Sequence, residues 1–300
     1  MTQKEMRCGF IALVGAPNAG KSTLLNAMVG AKLSIVTHKV QTTRSRVIGV
    51  ITENENQLVF VDTPGIFRPK RRLDRAMVSA AWGGAVDADE VVLLVDATRD
   101  IDSDTRDIIK TLKDQGRQVI LALNKIDKVK RDTLLALSQT LYNEGVFKEV
   151  FMISALKEDG LDALKNYLCQ QIPSGHWLYP EDQMTDITER LLAAEITREK
   201  AYLRLHEELP YALTVETEKW QDRKDGAVRI EQVIYVQRDT QKRIVIGKQG
   251  QSLKIIGQMA REEMEQSFGR KVHLFLFVKV RQNWIDDRER YQEIGLDYVD

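Results

Sequence analysis

The stretch Gly15-Ala16-Pro17-Asn18-Ala19-Gly20-Lys21-Ser22 fits G-x-x-x-x-G-K-[ST] and directly follows the apolar run Phe10-Ile11-Ala12-Leu13-Val14. Behind it comes the apolar-periodic Leu24-Leu25-Asn26-Ala27-Met28. A buried strand, a phosphate-cradling loop and a helix are the succession this motif requires. The glycines let backbone N–H groups converge on phosphate oxygens, and the helix points its positive dipole end at them. In such a loop Lys21 reaches the β- and γ-phosphates and the Ser22 hydroxyl ligates Mg2+. Gly15, Asn18, Gly20, Lys21, Ser22 and Thr23 are therefore the candidate phosphate-binding residues.

The pattern around the loop continues in kind. Up to about residue 172, short apolar strands (10–15, 47–52, 57–62, 91–96, 119–124, 150–154) alternate with helical stretches (22–29, 72–85, 103–113, 131–143, 161–171). That alternation predicts an α/β domain with a mostly parallel sheet covered on both faces. Strands 47–52 and 57–62, split by Glu53-Asn54-Glu55-Asn56, read as a hairpin that leaves one antiparallel strand at the sheet edge. The breaker-rich stretch from Pro173-Ser174-Gly175 to Pro180-Glu181-Asp182 marks a boundary. The expected division is a nucleotide-binding domain over 1–173, a linker over 174–185 and a second domain over 186–300. A chain of 300 residues has room for about two domains.

Two further elements decide which nucleotide is bound. Asp62-Thr63-Pro64-Gly65 ends a strand, the position of a Mg2+-organising carboxylate, and Gly65 lets its N–H approach a γ-phosphate. Lys21, Asp62 and Gly65 are thus the candidate catalytic groups. Asn124-Lys125-Ile126-Asp127 also follows an apolar strand. Asp127 can accept from guanine N1–H and its N2 amine, a donor pair adenine lacks. Asn124 braces that loop and meets the base edge, the Lys125 stem covers the base face, and Ser154-Ala155 offers backbone N–H to the guanine carbonyl. Gln41-Thr42-Thr43-Arg44 supplies a threonine for the Mg2+ shell, either Thr42 or Thr43, and its release on hydrolysis would make a switch. The expected metal ligands are Ser22, Asp62 and one threonine, Thr43 being the first candidate.

Together these elements resemble the translation-factor-like class of GTPases over residues 9–172. One departure matters: Ile66 stands where better-known members carry a glutamine that orients the attacking water. Isoleucine cannot hydrogen-bond water, so intrinsic hydrolysis is expected to be slow unless another group orients it. Some members with G-x-P-N-x-G-K-S loops use the asparagine to hold K+. Asn18 is a candidate for that role, or a simple turn residue.

After the boundary the order changes to a long helix (188–208), strands 211–220 and 228–237, a loop, a helix (252–266) and a strand (272–280). Gly247-Lys248-Gln249-Gly250 lies between the apolar Ile244-Val245-Ile246 and a helix. A G-x-x-G loop so placed clamps the backbone of about four nucleotides in KH domains. Residues 181–300 hold 20 Lys+Arg against 23 Asp+Glu, a net of −3. From Arg238 to Lys254, five basic residues face one acidic, a net of +4. This basic strip suits a short single-stranded RNA site, with Arg243, Ile246, Gly247, Lys248, Gln249, Gly250 and Lys254 as candidates. Ile244, Ile255 and Ile256 are further apolar residues near it, for the bases or for the core.

A GTPase domain followed by a small α+β type II KH domain resembles the bacterial Era family. The resemblance reaches the tail, where Val278-Lys279-Val280 leads into Trp284-Ile285-Asp286-Asp287-Arg288. It implies GTP and GDP as substrate and product, Mg2+ as cofactor and small-subunit ribosomal RNA near its 3′ end as partner. It also implies a role in maturing the small ribosomal subunit and a peripheral membrane pool. The rest of the chain is compatible. The formal net charge is zero, so a nucleic-acid site must be a local patch. Cys8 and Cys169 read as reduced thiols. No apolar run nears the ~18 residues of a membrane span. A cytoplasmic monomer is expected. A signalling GTPase whose second domain binds protein or membrane is the alternative. An RNA-modifying enzyme would need a second catalytic constellation, and the four histidines are scattered.

Overall fold

The computed structural model describes residues 5–39, 42–44, 46–69, 71–206, 209–282, 288, 291 and 296–298. Gln41 and Trp284 to Asp287 of the sequence motifs lie outside the described residues. The chain forms two compact units. Unit 1 comprises Met1–Ser34, Thr43–Asp186 and Ile294–Asp300; unit 2 comprises Ile35–Thr42 and Ile187–Glu293.

Unit 1 carries β1 (Arg7–Val14), α1 (Lys21–Val29), β2 (Val47–Glu53), β3 (Asn56–Asp62), α2 (Arg72–Asp87) and β4 (Glu90–Asp96). It continues with α3 (Ser103–Asp114), β5 (Val119–Asn124), α4 (Arg131–Tyr142), β6 (Phe147–Met152) and α5 (Leu161–Gln171). The strands order as β2-β3-β1-β4-β5-β6, all parallel except β2. Alternate residues of each central strand feed opposite faces. Ala12, Val14, Leu93 and Leu121 pack with apolar residues of α2, α3 and α4. Ile11, Leu13, Val92 and Ile120 pack with those of α1 and α5. Two buried faces explain why these strands read as continuous apolar runs.

The chain leaves β1 towards β2 and β3 on one side and then crosses to β4 on the other. The sheet therefore changes direction at β1, and ligand crevices in open α/β sheets lie beyond the strand C-termini at such a point. The motif loops after β1, β3 and β5 all emerge at that edge.

Residues 174–185, expected as a linker, pack along unit 1. Val50 N–H donates to Met184 O (2.8 Å), the Thr185 hydroxyl donates to Ile48 O (2.6 Å), and the Gln57 amide donates to Tyr179 O (2.8 Å). Covering the free edge of β2 satisfies backbone groups that an open edge would expose.

Unit 2 carries α6 (Glu189–Arg204), β7 (Leu213–Asp222), β8 (Val228–Val236), α7 (Asp239–Ile246), α8 (Gln251–Phe268) and β9 (Val272–Val280). Its sheet orders β7-β8-β9, with β7 antiparallel and β9 parallel to β8. Helix α7 corrects the sequence reading, which took Ile244-Val245-Ile246 for an apolar segment entering a loop. Three consecutive β-branched residues imitate a strand. In the helix only Val245 is fully buried, while Ile244 is 58% exposed. A reciprocal cap at Arg238, with the Gln241 side chain accepting from the Arg238 N–H at 3.1 Å, starts the helix.

Helix α6 buries four consecutive polar residues, Thr197, Arg198, Glu199 and Lys200. A helix cannot turn four neighbours to one face, so α6 is covered on more than one side. Thr197 donates to Gln232 of β8 (2.6 Å), and Lys200 pairs with Glu199 (2.7 Å) and with Glu263 of α8. Val36, Lys39 and Thr42 meet α6 from a preceding segment. Val36 N–H donates to Glu199 Oε1 (2.8 Å), Arg198 donates to Thr42 O (2.5 Å), and the Lys39 ammonium caps the Tyr202 and Leu205 carbonyls. Burial works against the Arg198 charge, but the Glu195 carboxylate outweighs it and holds the guanidinium firmly protonated.

In unit 1 Arg117 forks over the end of α2, donating to Ala85 O (2.6 Å), Val86 O (3.2 Å) and Ala88 O. Those carbonyls have no partner within the helix. Arg117→Ala is expected to lower stability by about 1–3 kcal/mol, the range for hydrogen bonds from a charged group. Arg117→Lys should recover only part of it, because an ammonium cannot fork over three carbonyls. Urea unfolding of the full chain, followed by circular dichroism, reads both. A loss below a few tenths of a kcal/mol for Arg117→Ala would show the cap to be solvent-replaceable.

Candidate functional site

The loop after β1 wraps its own lysine. Lys21, 6% exposed, donates to Gly15 O (3.0 Å) and Ala16 O (3.2 Å). Gly20 sits at φ +103°, and a Cβ there would lie 2.2 Å from the Asn124 amide nitrogen. Only glycine fits, because the two loops touch. Asn18 also takes a positive φ, 65°, which asparagine tolerates, and its carbonyl accepts from Lys125 Nζ at 2.8 Å.

Four oxygen-bearing side chains meet beside this loop. Ser22 Oγ donates to Asp62 Oδ2 at 2.7 Å and lies 2.8 Å from Thr43 Oγ1, which is itself 3.4 Å from Oδ2. Ser34 Oγ donates to the same Oδ2 at 2.9 Å. The other oxygen, Asp62 Oδ1, is buried with no hydrogen-bond partner. An orphaned carboxylate oxygen among hydroxyls is an all-oxygen donor set of the kind that suits Mg2+. No trio of His, Cys, Asp or Glu that could hold a metal occurs among the described residues. Of the two threonines the sequence left open, Thr43 lies in this group, whereas Thr42 bonds Lys39 O (2.7 Å) and Thr37 Oγ1 (2.8 Å).

Burial dominates the electrostatics. It pushes the Lys21 ammonium down to about 8, against the pull of the nearby Asp62 charge. It also raises the Asp62 carboxyl, opposed by the Ser22 hydrogen bond, the Lys21 charge and the Ser34 and Thr43 hydroxyls. Each charge lacks compensation that a phosphate beside Lys21 and a cation beside Asp62 would supply.

Asn124, expected to brace its loop and meet a base edge, makes three bracing bonds. Its amide nitrogen donates to Ala19 O (2.8 Å), and its oxygen accepts from Lys125 N–H (2.8 Å) and Ala155 N–H (3.0 Å). One side chain therefore joins three loops. The Ala155 N–H, expected to face guanine, is used within the protein, and Ser154 N–H bonds Asp159 O (3.0 Å). Ser154 contributes instead through its hydroxyl, which donates to Asp127 Oδ1 at 2.6 Å. Asp127 itself is exposed at the mouth of the site. Lys125 lies across Asn18 and bonds Asp96 Oδ2 at 2.6 Å. Burial opposes the Asp96 charge, but Lys125 and the Thr98 hydroxyl and N–H outweigh it and hold the carboxyl below its usual range.

Thr23 lies in the first turn of α1, and Gly65 packs so closely on the loop that a Cβ would lie 3.0 Å from Pro17. Ile66 is 6% exposed within the apolar core, its N–H donating to Gly15 O at 3.1 Å. Sequence reasoning missed Asp96, Ser34 and Asn26. Asp96 ends an apolar strand as Asp62 does, and that signal was readable. Ser34 and Asn26 show no local pattern, because only folding brings Ser34 to Asp62 and Asn26 to Ser34.

In unit 2 the G-x-x-G loop joins α7 to α8. Gly247 has φ +72°, and a Cβ there would lie 2.7 Å from Ser252 Cβ. Gly247 N–H closes α7 on Arg243 O (2.9 Å), and Gly250 N–H donates to Gly247 O (3.2 Å). Arg243, Lys248, Gln249 and Lys254 are exposed, and Ile246 is half-buried. Ile256 belongs to the core, and Ile244 is the exposed isoleucine of the group. The loop sets basic side chains beside the N-terminus of an 18-residue helix, where backbone N–H groups favour anions.

Comparison with known proteins agrees with this geometry. Residues 10–125 match the family model of the 50S ribosome-binding GTPase, and residues 208–285 match that of the KH domain. The chain is 60% identical to GTPase Era of Mesorhizobium japonicum over 97% of its length and 94% of the relative's. It is 58% identical to GTPase Era of Brucella suis, over 98% of this chain and 94% of that one. Among solved structures, a point variant of Aquifex aeolicus Era bound to GDP and AlF4− superposes with a TM-score of 0.91. It is 40% identical and covers 97% of this chain and 99% of its own. A structure of Era in complex with MgGDPNP and nucleotides 1506–1542 of 16S ribosomal RNA matches with the same TM-score, identity and coverage. A phosphate loop, a guanine-selecting loop and a KH unit in this order, at such identity along nearly the whole chain, mean that the protein belongs to the Era family of GTPases.

Proposed function

We propose that this chain is a GTP-hydrolysing switch that binds small-subunit ribosomal RNA near its 3′ end and assists maturation of that subunit. One observation carries the reading. The groups around Asp62 and Asp127 gather at one sheet edge, in a chain whose relative holds MgGDPNP and 16S nucleotides together.

In this reading the loop N–H groups and Lys21 take the β- and γ-phosphates. Ser22 and Thr43 hold Mg2+ with Asp62 behind them, and the ion supplies charge neutralisation at the phosphates. Gly65 brings its N–H towards the γ-phosphate. Asp127, steadied by Ser154, accepts from guanine, and Lys125 covers the base. The reaction is in-line attack of water on the γ-phosphate, with charge stabilisation as the main contribution of the protein. Ile66 is buried and apolar, so no side chain there orients the water and unassisted turnover is slow. K+ held at Asn18 would add positive charge at the same place. The KH unit clamps single-stranded RNA at Gly247–Gly250, with Lys248, Arg243 and Lys254 on phosphates. We place this work in the cytoplasm, where ribosomal RNA is, with a peripheral membrane pool as a second location to be read by fractionation. No helix among the described residues is long and apolar enough to cross a membrane.

Binding of the full-length protein to a single-stranded oligonucleotide of the 16S 3′ end, against a scrambled control, tests the reading in GDP and in a non-hydrolysable GTP analogue. Sequence-dependent, GTP-favoured binding that weakens steeply with salt is expected. Equal affinity for both oligonucleotides would favour the protein- or membrane-partner alternative. Gly247→Asp with Gly250→Asp is expected to abolish RNA binding while sparing GTP hydrolysis, since two carboxylates would face the RNA backbone.

Asp127→Asn is expected to exchange guanine for xanthine preference, because the amide donates where the carboxylate accepted. Competition between GTP and XTP in a filter assay reads this, and an unchanged GTP preference would remove Asp127 from the base site.

Lys21 gives a pH dependence. Its value near 8 lies below that of an ordinary lysine, so the free protein holds it largely neutral above pH 8. A phosphate beside it restores the charge, so nucleotide binding takes up a proton. The uptake should be close to none at pH 7 and approach about one proton at pH 9, with affinity falling as pH rises. Calorimetry in buffers of different ionisation enthalpy measures it, and equal uptake at both pH values would contradict the assignment.

A further inference from the structure

Ser34 lies eight residues beyond Asn26, in no recognisable motif, and is 3% exposed. Its hydroxyl donates to Asp62 Oδ2 at 2.9 Å. The Asn26 side chain fixes its backbone on both sides: Asn26 Nδ2 donates to Ser34 O (2.7 Å), and Asn26 Oδ1 accepts from Leu33 N–H (2.9 Å) and Ser34 N–H (2.9 Å). Asn26 is itself held on α1, the helix that begins with Lys21 and Ser22. A rigid path thus runs from the helix of the phosphate loop through Asn26 and Ser34 to the carboxylate.

The three hydroxyls around Asp62 are not equivalent. Ser22 and Thr43 touch each other and are the two whose oxygens would turn to Mg2+. Ser34 is not needed as a ligand, and its position is set by Asn26 rather than by the ion. All three bonds go to Oδ2, which leaves Oδ1 as the oxygen without a partner. A carboxylate bonded through one oxygen cannot rotate freely, so the bond from Ser34 fixes which oxygen faces the site. Ser34 and Thr43 are also the two points where the chain leaves unit 1 and returns, on either side of Ile35–Thr42. Asp62 therefore ties together both feet of that excursion.

We infer that Ser34, held by Asn26, is a positioning residue for Asp62 that sets the Mg2+ affinity of the nucleotide site. The inference rests on the nucleotide reading above and concerns a residue that acts through Asp62.

The test is release of fluorescently labelled GDP from the full-length protein across a range of free Mg2+, with an EDTA arm. Wild type should retain nucleotide better as Mg2+ rises. Ser34→Ala is expected to raise the Mg2+ concentration for half-maximal retention by about three- to ten-fold, the scale of one ordinary intramolecular hydrogen bond. Release in EDTA should stay as in wild type. Asn26→Ala should reproduce the shift by freeing Ser34, and Ser34→Thr, which keeps the hydroxyl, should restore the wild-type value. If Ser34→Ala does not fold, Ser34→Cys keeps the volume with a weak donor and carries the same expectation. An unshifted half-saturation, or release accelerated equally with and without Mg2+, would overturn the positioning role. Wild type with no Mg2+ dependence would overturn the nucleotide reading beneath it, and the two failures are distinct.

Discussion

A carboxylate sealed from solvent needs compensation from its surroundings, and Asp62 imposes that need on unit 1. Its side chain is 0% exposed, and three hydroxyls from separate places in the sequence converge on one of its oxygens. Ser22 comes from the start of α1, Ser34 from the segment after it, and Thr43 from the point where the chain re-enters the unit. Burying a charge is unfavourable unless it is paired or hydrogen-bonded. The residues that satisfy Asp62 are therefore held wherever the carboxylate is held. Lys21 shares the constraint from the other side, since burial depresses its charge as it raises the Asp62 carboxyl. Each group carries a deficit that a magnesium nucleotide bound beside it would correct.

The sheet makes that convergence possible. Parallel strands end together, so the loops after β1, β3 and β5 meet at one edge even though Gly15 and Asn124 are far apart in sequence. Asn124 then locks the phosphate loop, its own loop and the Ser154-Ala155 loop through one amide. A buried amide with its bonds made is rigid, because losing any one leaves an unsatisfied group. Catalytic and specificity residues can sit on loops here because the scaffold and this amide remove the loops' freedom.

Unit 2 meets a different problem. Helix α6 buries Arg198, Glu199 and Lys200, whose charges are neutralised within the unit by Glu195, Glu263 and one another. Backbone groups at Val36 and Thr42 add partners to Glu199 and Arg198. A stretch of chain that lies in sequence between two parts of unit 1 is thereby part of the folding of unit 2. Buried ion pairs add little net stability but are costly to break singly, which favours one arrangement of that segment over alternatives.

The amino-acid sequence by itself determined the α/β pattern, the hairpin edge and the nucleotide motifs. These depend on residue type at short spacing: glycines that permit a loop, a carboxylate ending a strand, a lysine at the start of a helix. It also showed the basic strip around Gly247–Gly250, because charge is additive along a chain. It misread Ile244-Val245-Ile246, where β-branched residues look alike in strand and helix, and a cap at Arg238 decided for the helix. Only the tertiary structure decided that Thr43 rather than Thr42 meets Asp62, and that the Asn124 amide bridges three loops. Only it showed that Ser34, held by Asn26, bonds Asp62 and that Val36, Lys39 and Thr42 pack on α6. All of these rest on contacts between residues distant in sequence, where local spacing carries no information and the partner is chosen by burial and by the need to satisfy polar groups.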